Sequence, residues 1–156
     1  MKSLRAITAI AVLLTFGAIA GPASAKSKPN LKVSSLNAAT GSYAPGVKVL
    51  NTATVINSGK AAARASRTTF HLSLDRKKSK NDVTLEGDQK VGKLRKGKSS
   101  TAATGVRIPA TVVAGSYFVG ACADGKRKII ESRESDNCRF SGRQITVALP
   151  EIGVQG

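Results

Sequence analysis

Apolar and polar positions alternate with period two along most of the chain, the pattern of half-buried β-strands. Over residues 30–37, Leu31, Val33 and Ser35 alternate with Lys32 and Ser34, and Leu36 falls out of phase; this predicts a first strand. Residues 47–57 give the clearest signal, with Val49, Asn51, Ala53 and Val55 on one face and Thr52 and Thr54 on the other. Asn51 is polar on a face that should be buried, so it either pairs with backbone or marks a bulge. Residues 66–74 set Thr68, Phe70, Leu72 and Leu74 against Arg67, Thr69, His71 and Ser73. Shorter strands are predicted at 83–85, 90–94, 100–108, 116–123 and 143–149. Gly41, Ala44-Pro45-Gly46, Asn57-Ser58-Gly59-Lys60 and Arg95-Lys96-Gly97-Lys98 read as turns. The stretch 61–65 is helix-friendly and too short to stand alone. Seven or eight strands at roughly ten-residue spacing, with no long amphipathic helix, predict an antiparallel sandwich of two sheets over one core.

The first 25 residues break this pattern. Lys2 and Arg5 precede an apolar run over 6–20, then Gly21-Pro22 and a small-x-small site at Ala23-Ser24-Ala25. That order is expected of a secretory signal peptide, and the run is short for a membrane span. The reading divides the chain into a signal peptide (1–25), one domain (26–149) and a short tail (150–156), with no transmembrane anchor after signal removal and a secreted or periplasmic location. Two cysteines in an exported chain are expected to pair, so Cys122 and Cys138 predict a disulfide. Two thiols without nearby histidines are too few ligands for structural zinc.

Aromatic residues are scarce and Trp is absent, so Val, Ile, Leu and Ala must build the core, with Phe70 and Tyr117 as its large members. The formal charge is +16, of which Lys2 and Arg5 would leave with the signal.

Several stretches, taken in order, resemble a known family. Asn57-Ser58-Gly59 follows a Thr-Ala-Thr-Val strand, and Phe70-His71-Leu72-Ser73 runs into a polar loop. Gly115-Ser116-Tyr117 leads to Ala121-Cys122-Ala123-Asp124, and Glu131-Ser132-Arg133-Glu134-Ser135-Asp136-Asn137-Cys138 closes the set. Together they resemble the CARDB domain, the cell-adhesion-related domain of bacteria, over about residues 29–147. The resemblance implies an all-β, immunoglobulin-like antiparallel β-sandwich, found in exported and surface proteins and without a common catalytic activity. The loop after the Phe-x-Leu-Ser strand is usually acidic in such domains and is Asp75-Arg76-Lys77-Lys78-Ser79-Lys80 here.

Catalytic chemistry finds little support. His71 is the single histidine and falls on the expected outer face of its strand, as an exposed bystander without nucleophile or orienting acid. No nucleophile elbow and no phosphate-cradling glycine loop is present, so no enzyme and no cofactor is expected. Asp124, Glu131, Glu134 and Asp136 supply oxygens within the disulfide loop and are weak calcium candidates. Lys126, Arg127, Lys128, Arg133 and Arg139 crowd the same region and oppose a cation, so these acids are expected to scaffold the loop.

The basic turns are the functional lead. Arg76, Lys77, Lys78, Lys80, Lys93, Arg95, Lys96 and Lys98 are candidate polyanion contacts, and Lys126–Lys128 add a third cluster. The expected partner is an anionic cell-surface polymer or an envelope protein. A specific nucleic acid is disfavoured, because stacking aromatics are scarce. The role implied is non-catalytic binding or adhesion at the cell envelope; the alternative is a structural or accessory envelope protein with no dedicated ligand.

Overall fold

A computed structural model of the protein describes residues 26–149; the expected signal peptide and tail lie outside the described residues. Eight strands form in chain order: β1 (Leu31–Asn37), β2 (Gly41–Tyr43), β3 (Lys48–Asn57), β4 (Ser66–Ser73), β5 (Val83–Val91), β6 (Ser99–Arg107), β7 (Gly115–Cys122) and β8 (Cys138–Val147). They pair in the order β1-β3-β6-β5-β4-β7-β8-β2. The resulting sheet is curled: β5 pairs along β4 through most of its length and meets β6 at Glu86 and Arg107. It thereby joins the β1-β3-β6 leaf to the β4-β7-β8-β2 leaf. The apolar faces of both leaves meet in one core built on Phe70, Leu31, Leu72, Leu85, Val55, Val106, Ile108 and Ile145.

Period two located the strands because one face of each lies against this core. The burial of β3 alternates along its length, with Val49, Asn51, Ala53 and Val55 inside. Asn51 pairs with backbone: its Oδ1 accepts the Ala39 amide at 2.9 Å. Three expectations need correction. Gly41, expected in a turn, starts β2, which pairs in parallel with β8. The separate strands expected at 83–85 and 90–94 are one strand, β5, crossed by a bulge opposite Phe70. Gly87, at φ +110°, sits in that bulge, and its backbone there suits only glycine. Leu74, expected inward with Phe70 and Leu72, lies past the end of β4 and is exposed.

One end of the sandwich is assembled from four separate stretches: the arm 26–30, the β3–β4 connection 58–65, the β5–β6 turn 92–98 and the β7–β8 loop 123–137. The Ser58 amide donates to the Asn30 carbonyl at 2.8 Å, and Lys60 to Lys28 at 2.9 Å. Ala63 and Leu94 pair as an isolated bridge. The Ser132 amide donates to the Pro29 carbonyl at 2.9 Å, and the Gly125 amide to that of Arg67 at 3.0 Å. A Cβ on Gly59 would fall 2.3 Å from the Asn30 nitrogen, so this packing of arm on turn admits no side chain there.

Cys122 and Cys138 form a disulfide and are directly opposed in the β7–β8 ladder. The bridge closes the base of the 123–137 loop.

Candidate functional site

The four stretches at this end bring many of the chain's cations together. A cleft of about 370 Å³ is lined by Ala65, Ser66, Arg67, Lys90, Val91, Gly92, Asp124, Lys126 and Lys128. It lies where the first residues of β4 and the last of β5 meet the β7–β8 loop. Asp88 binds two of its cations, Arg67 at 2.5 Å and Lys126 at 3.6 Å. Among the described residues, Lys90 and Lys128 lie within ion-pair reach of no carboxylate. Arg64 Nη2 donates to the Lys128 carbonyl at 2.9 Å.

A second, more open cleft of about 710 Å³ lies on the other side of the same loop. Lys26, Lys28, Lys32, Lys60 and Arg133 line it, with Asp136 as its one acid. Beneath it, Asn30 Nδ2 donates to Ser58 Oγ at 3.0 Å and to Asp136 Oδ2 at 3.1 Å. At close range such ammonium and guanidinium groups attract phosphate, sulfate or carboxylate, with strong dependence on salt.

The structure divides the eight basic residues named from the sequence. The β4–β5 ladder runs from Ser66 opposite Val91 to Leu72 opposite Val83. Arg76, Lys77, Lys78 and Lys80 therefore leave the hairpin at one end, and Lys93, Arg95, Lys96 and Lys98 at the other, roughly 20 Å apart at strand rise. The first group folds back over the outer face of the sheet. Arg76 lies over the Phe118 ring, 5.5 Å from its centroid, and Lys78 pairs with Asp82 at 3.5 Å. The second group joins the end that carries both clefts. Arg67 in the first cleft, and Lys32 and Lys60 in the second, were not singled out from the sequence. They are scattered singly along the chain, and only the pairing of strands and turns gathers them.

The four acids of the disulfide loop are each engaged by a protein donor. Asp124 Oδ2 accepts the Ile129 amide at 2.7 Å, Glu134 Oε1 the Glu131 amide at 3.1 Å, and Asp136 Oδ2 the Asn30 carboxamide. Glu131 is buried and accepts the Leu31 amide and, at 2.9 Å, Asn137 Nδ2. Among the described residues, no three His, Cys, Asp or Glu side chains converge as a set of metal ligands.

His71 requires a correction. It points away from Phe70 as alternation requires, yet it is buried, because the β4–β5 and β7–β8 loops cover that face. Its Nε2 lies 2.9 Å from Thr69 Oγ1 and its Nδ1 3.2 Å from Thr84 Oγ1. Burial, aided by Lys78 and opposed by Asp82, lowers its pKa to about 4.

Glu131 shifts the other way. Burial pushes its carboxyl up to about 7, with Glu134 and Asp124 adding repulsion and the Leu31 and Asn137 donors opposing. Its protonated form is favoured by folding, so Glu131 contributes stability below about pH 4.5 that is lost as the pH rises through about 7. His71 contributes stability above its ordinary 6.5 that is lost as the pH falls through about 4. The two trends oppose each other in mildly acidic solution. Comparing melting profiles of Glu131→Gln and wild type cancels the histidine. The wild type should lose stability relative to the variant between about pH 4.5 and 7. A difference that stays flat with pH would contradict this burial of the carboxyl.

The CARDB family model matches residues 28–141. No curated protein matches the chain. Among solved structures, the fold is similar to a CARDB domain from Pyrococcus furiosus crystallised in complex with di-metal ions. That likeness has 15% identity and a TM-score of 0.54, and covers 81% of this chain and 100% of the other. A domain of a putative cell surface protein from Methanosarcina acetivorans is similar at 19% identity and a TM-score of 0.53, over 78% of this chain and 93% of that one.

Proposed function

The chain belongs to the CARDB family, and on that footing we propose that it is an exported, non-catalytic binding module whose basic end holds an anionic polymer of the cell surface. CARDB is a cell-surface-associated domain family, which accords with a non-catalytic module. The observation that carries the finer reading is the cleft at Arg67, Lys90, Lys126 and Lys128, in which two lysines lack a carboxylate partner among the described residues. The second basic cleft beside it extends the same field. A polymer with repeating negative charge can engage both, and multiple weak contacts add up along it. His71, covered by two loops and with its pKa lowered to about 4, is a weak proton acceptor. The cell-surface character of the Methanosarcina acetivorans relative supports the same setting.

Two variants of equal charge change test whether position matters. On a sulfated-polymer column, Lys126→Gln/Lys128→Gln should elute at clearly lower salt than wild type. Lys48→Gln/Arg107→Gln, paired at the start of β3 and the end of β6 and so at the far end of the sandwich, should elute close to wild type. Equal shifts for the two pairs would mean that net charge alone drives retention and that the basic end is no site.

A further inference from the structure

Ile130 is the most exposed large apolar side chain among the described residues, at 76%. The others lie elsewhere: Leu50 on the outer face of β3, and Val47, Leu74, Val113 and Leu149 toward the opposite end. The exposure of Ile130 is imposed by its neighbours. Residues 129–131 alternate inward, outward, inward, with Ile129 in the core cluster and the Glu131 side chain buried. The Ile129 and Glu131 amides donate to Asp124 and Glu134, and Arg64 holds the Lys128 carbonyl. With the backbone held on both sides, Ile130 has no way back to the core. Lys126 and Lys128 before it line the first cleft, and Arg133 after it lines the second. An apolar side chain therefore stands on the ridge between two basic clefts.

That combination also suits the surface of an anionic bilayer. Cations near the membrane surface are attracted by acidic headgroups, while an apolar side chain gains by entering the boundary with the acyl chains. A dissolved polyanion engages the cations and gains nothing from Ile130. We propose that this end of the domain docks on an anionic lipid bilayer, with Ile130 inserted below the headgroups and the flanking cations on the lipid phosphates. The proposal rests on the anion-binding reading of the same end.

Cosedimentation with lipid vesicles tests it, using the chain from Lys26 onward, which contains all eight strands and the disulfide. The protein should bind mixed phosphatidylglycerol–phosphatidylcholine vesicles and leave pure phosphatidylcholine vesicles unbound. Ile130→Ser should lower partitioning by roughly tenfold, with unchanged melting temperature and unchanged elution from the sulfated-polymer column. Lys126→Gln/Lys128→Gln should weaken both, with each lysine lowering vesicle binding by roughly fivefold. Wild-type vesicle binding by Ile130→Ser, or equal binding to the neutral vesicles, would overturn the proposal. Retention on the polymer column without vesicle binding would also overturn it and leave the anion-binding reading standing. Failure on both surfaces would remove that reading as well.

Discussion

Replacing Asn57 with Ala should cost about 4 kcal/mol of folding stability, measured by urea denaturation. The Asn57 side chain is fully buried and uses its hydrogen-bonding groups on four backbone partners. Its Oδ1 accepts the amides of Asn30 and Gly59, each at 3.1 Å. Its Nδ2 donates to the carbonyls of Ala61 at 2.8 Å and Leu94 at 3.0 Å. One carboxamide thus joins the N-terminal arm, the β3–β4 connection and the β5–β6 turn. Truncation strands donors and acceptors in a site closed to water, and each such group costs about 1–3 kcal/mol when left unpaired. Asn57→Asp keeps the two acceptor contacts but loses both donors and buries a charge, so it should not rescue the variant. The amides of Asn30 and Gly59 should lose their protection from hydrogen exchange in Asn57→Ala. A loss below about 1 kcal/mol would mean that the end of the sandwich holds together without this hub.

Removing the disulfide by Cys122→Ala/Cys138→Ala should cost about 3 kcal/mol, from the loop-closure entropy returned to the unfolded chain. The bridge spans 16 positions of sequence and closes the loop that carries Lys126, Lys128, Ile130 and Arg133. Within that loop, Asp124, Glu131, Glu134 and Asn137 still bind backbone and one another. The variant should therefore fold, with a lower denaturation midpoint and faster amide exchange in 123–137. A midpoint equal to wild type would show that the polar network and the β7–β8 ladder hold the loop unaided.

How legible this protein was depended on the range of the interaction. Strands β1, β3, β4, β6, β7 and β8 followed from alternation, because a residue two places along faces the same way whatever the partner strand. The disulfide followed from the count of cysteines and the expectation of an exported chain. Asn57-Ser58-Gly59 served as a family marker, and the structure supplies its reason: a four-way carboxamide and a glycine pressed on the arm. β5 was read as two pieces because its bulge at Gly87 breaks the alternation. β2 was read as a turn because three residues paired in parallel to β8 leave no periodic trace. His71 was assigned to the correct face and the wrong environment, since a local pattern carries no information about two loops folding over it.

The functional residues show the same limit. Clusters contiguous in sequence, such as Arg76–Lys80 and Lys93–Lys98, were visible at once; they leave the β4–β5 hairpin at opposite ends, and the first folds back over the outer face of the sheet. Arg67, Lys90, Lys126 and Lys128 come from three separate stretches and share one cleft.

By itself the sequence determined the fold class, most of the strands, the cysteine pairing and the strongly basic character, since periodicity, composition and the number of cysteines are properties of the chain. The tertiary structure alone decided which cations meet, that His71 is buried and Ile130 exposed, and that Glu131 lies where water is excluded. These depend on strand order and on loops packing over distant strands, and therefore on contacts between residues far apart in the chain.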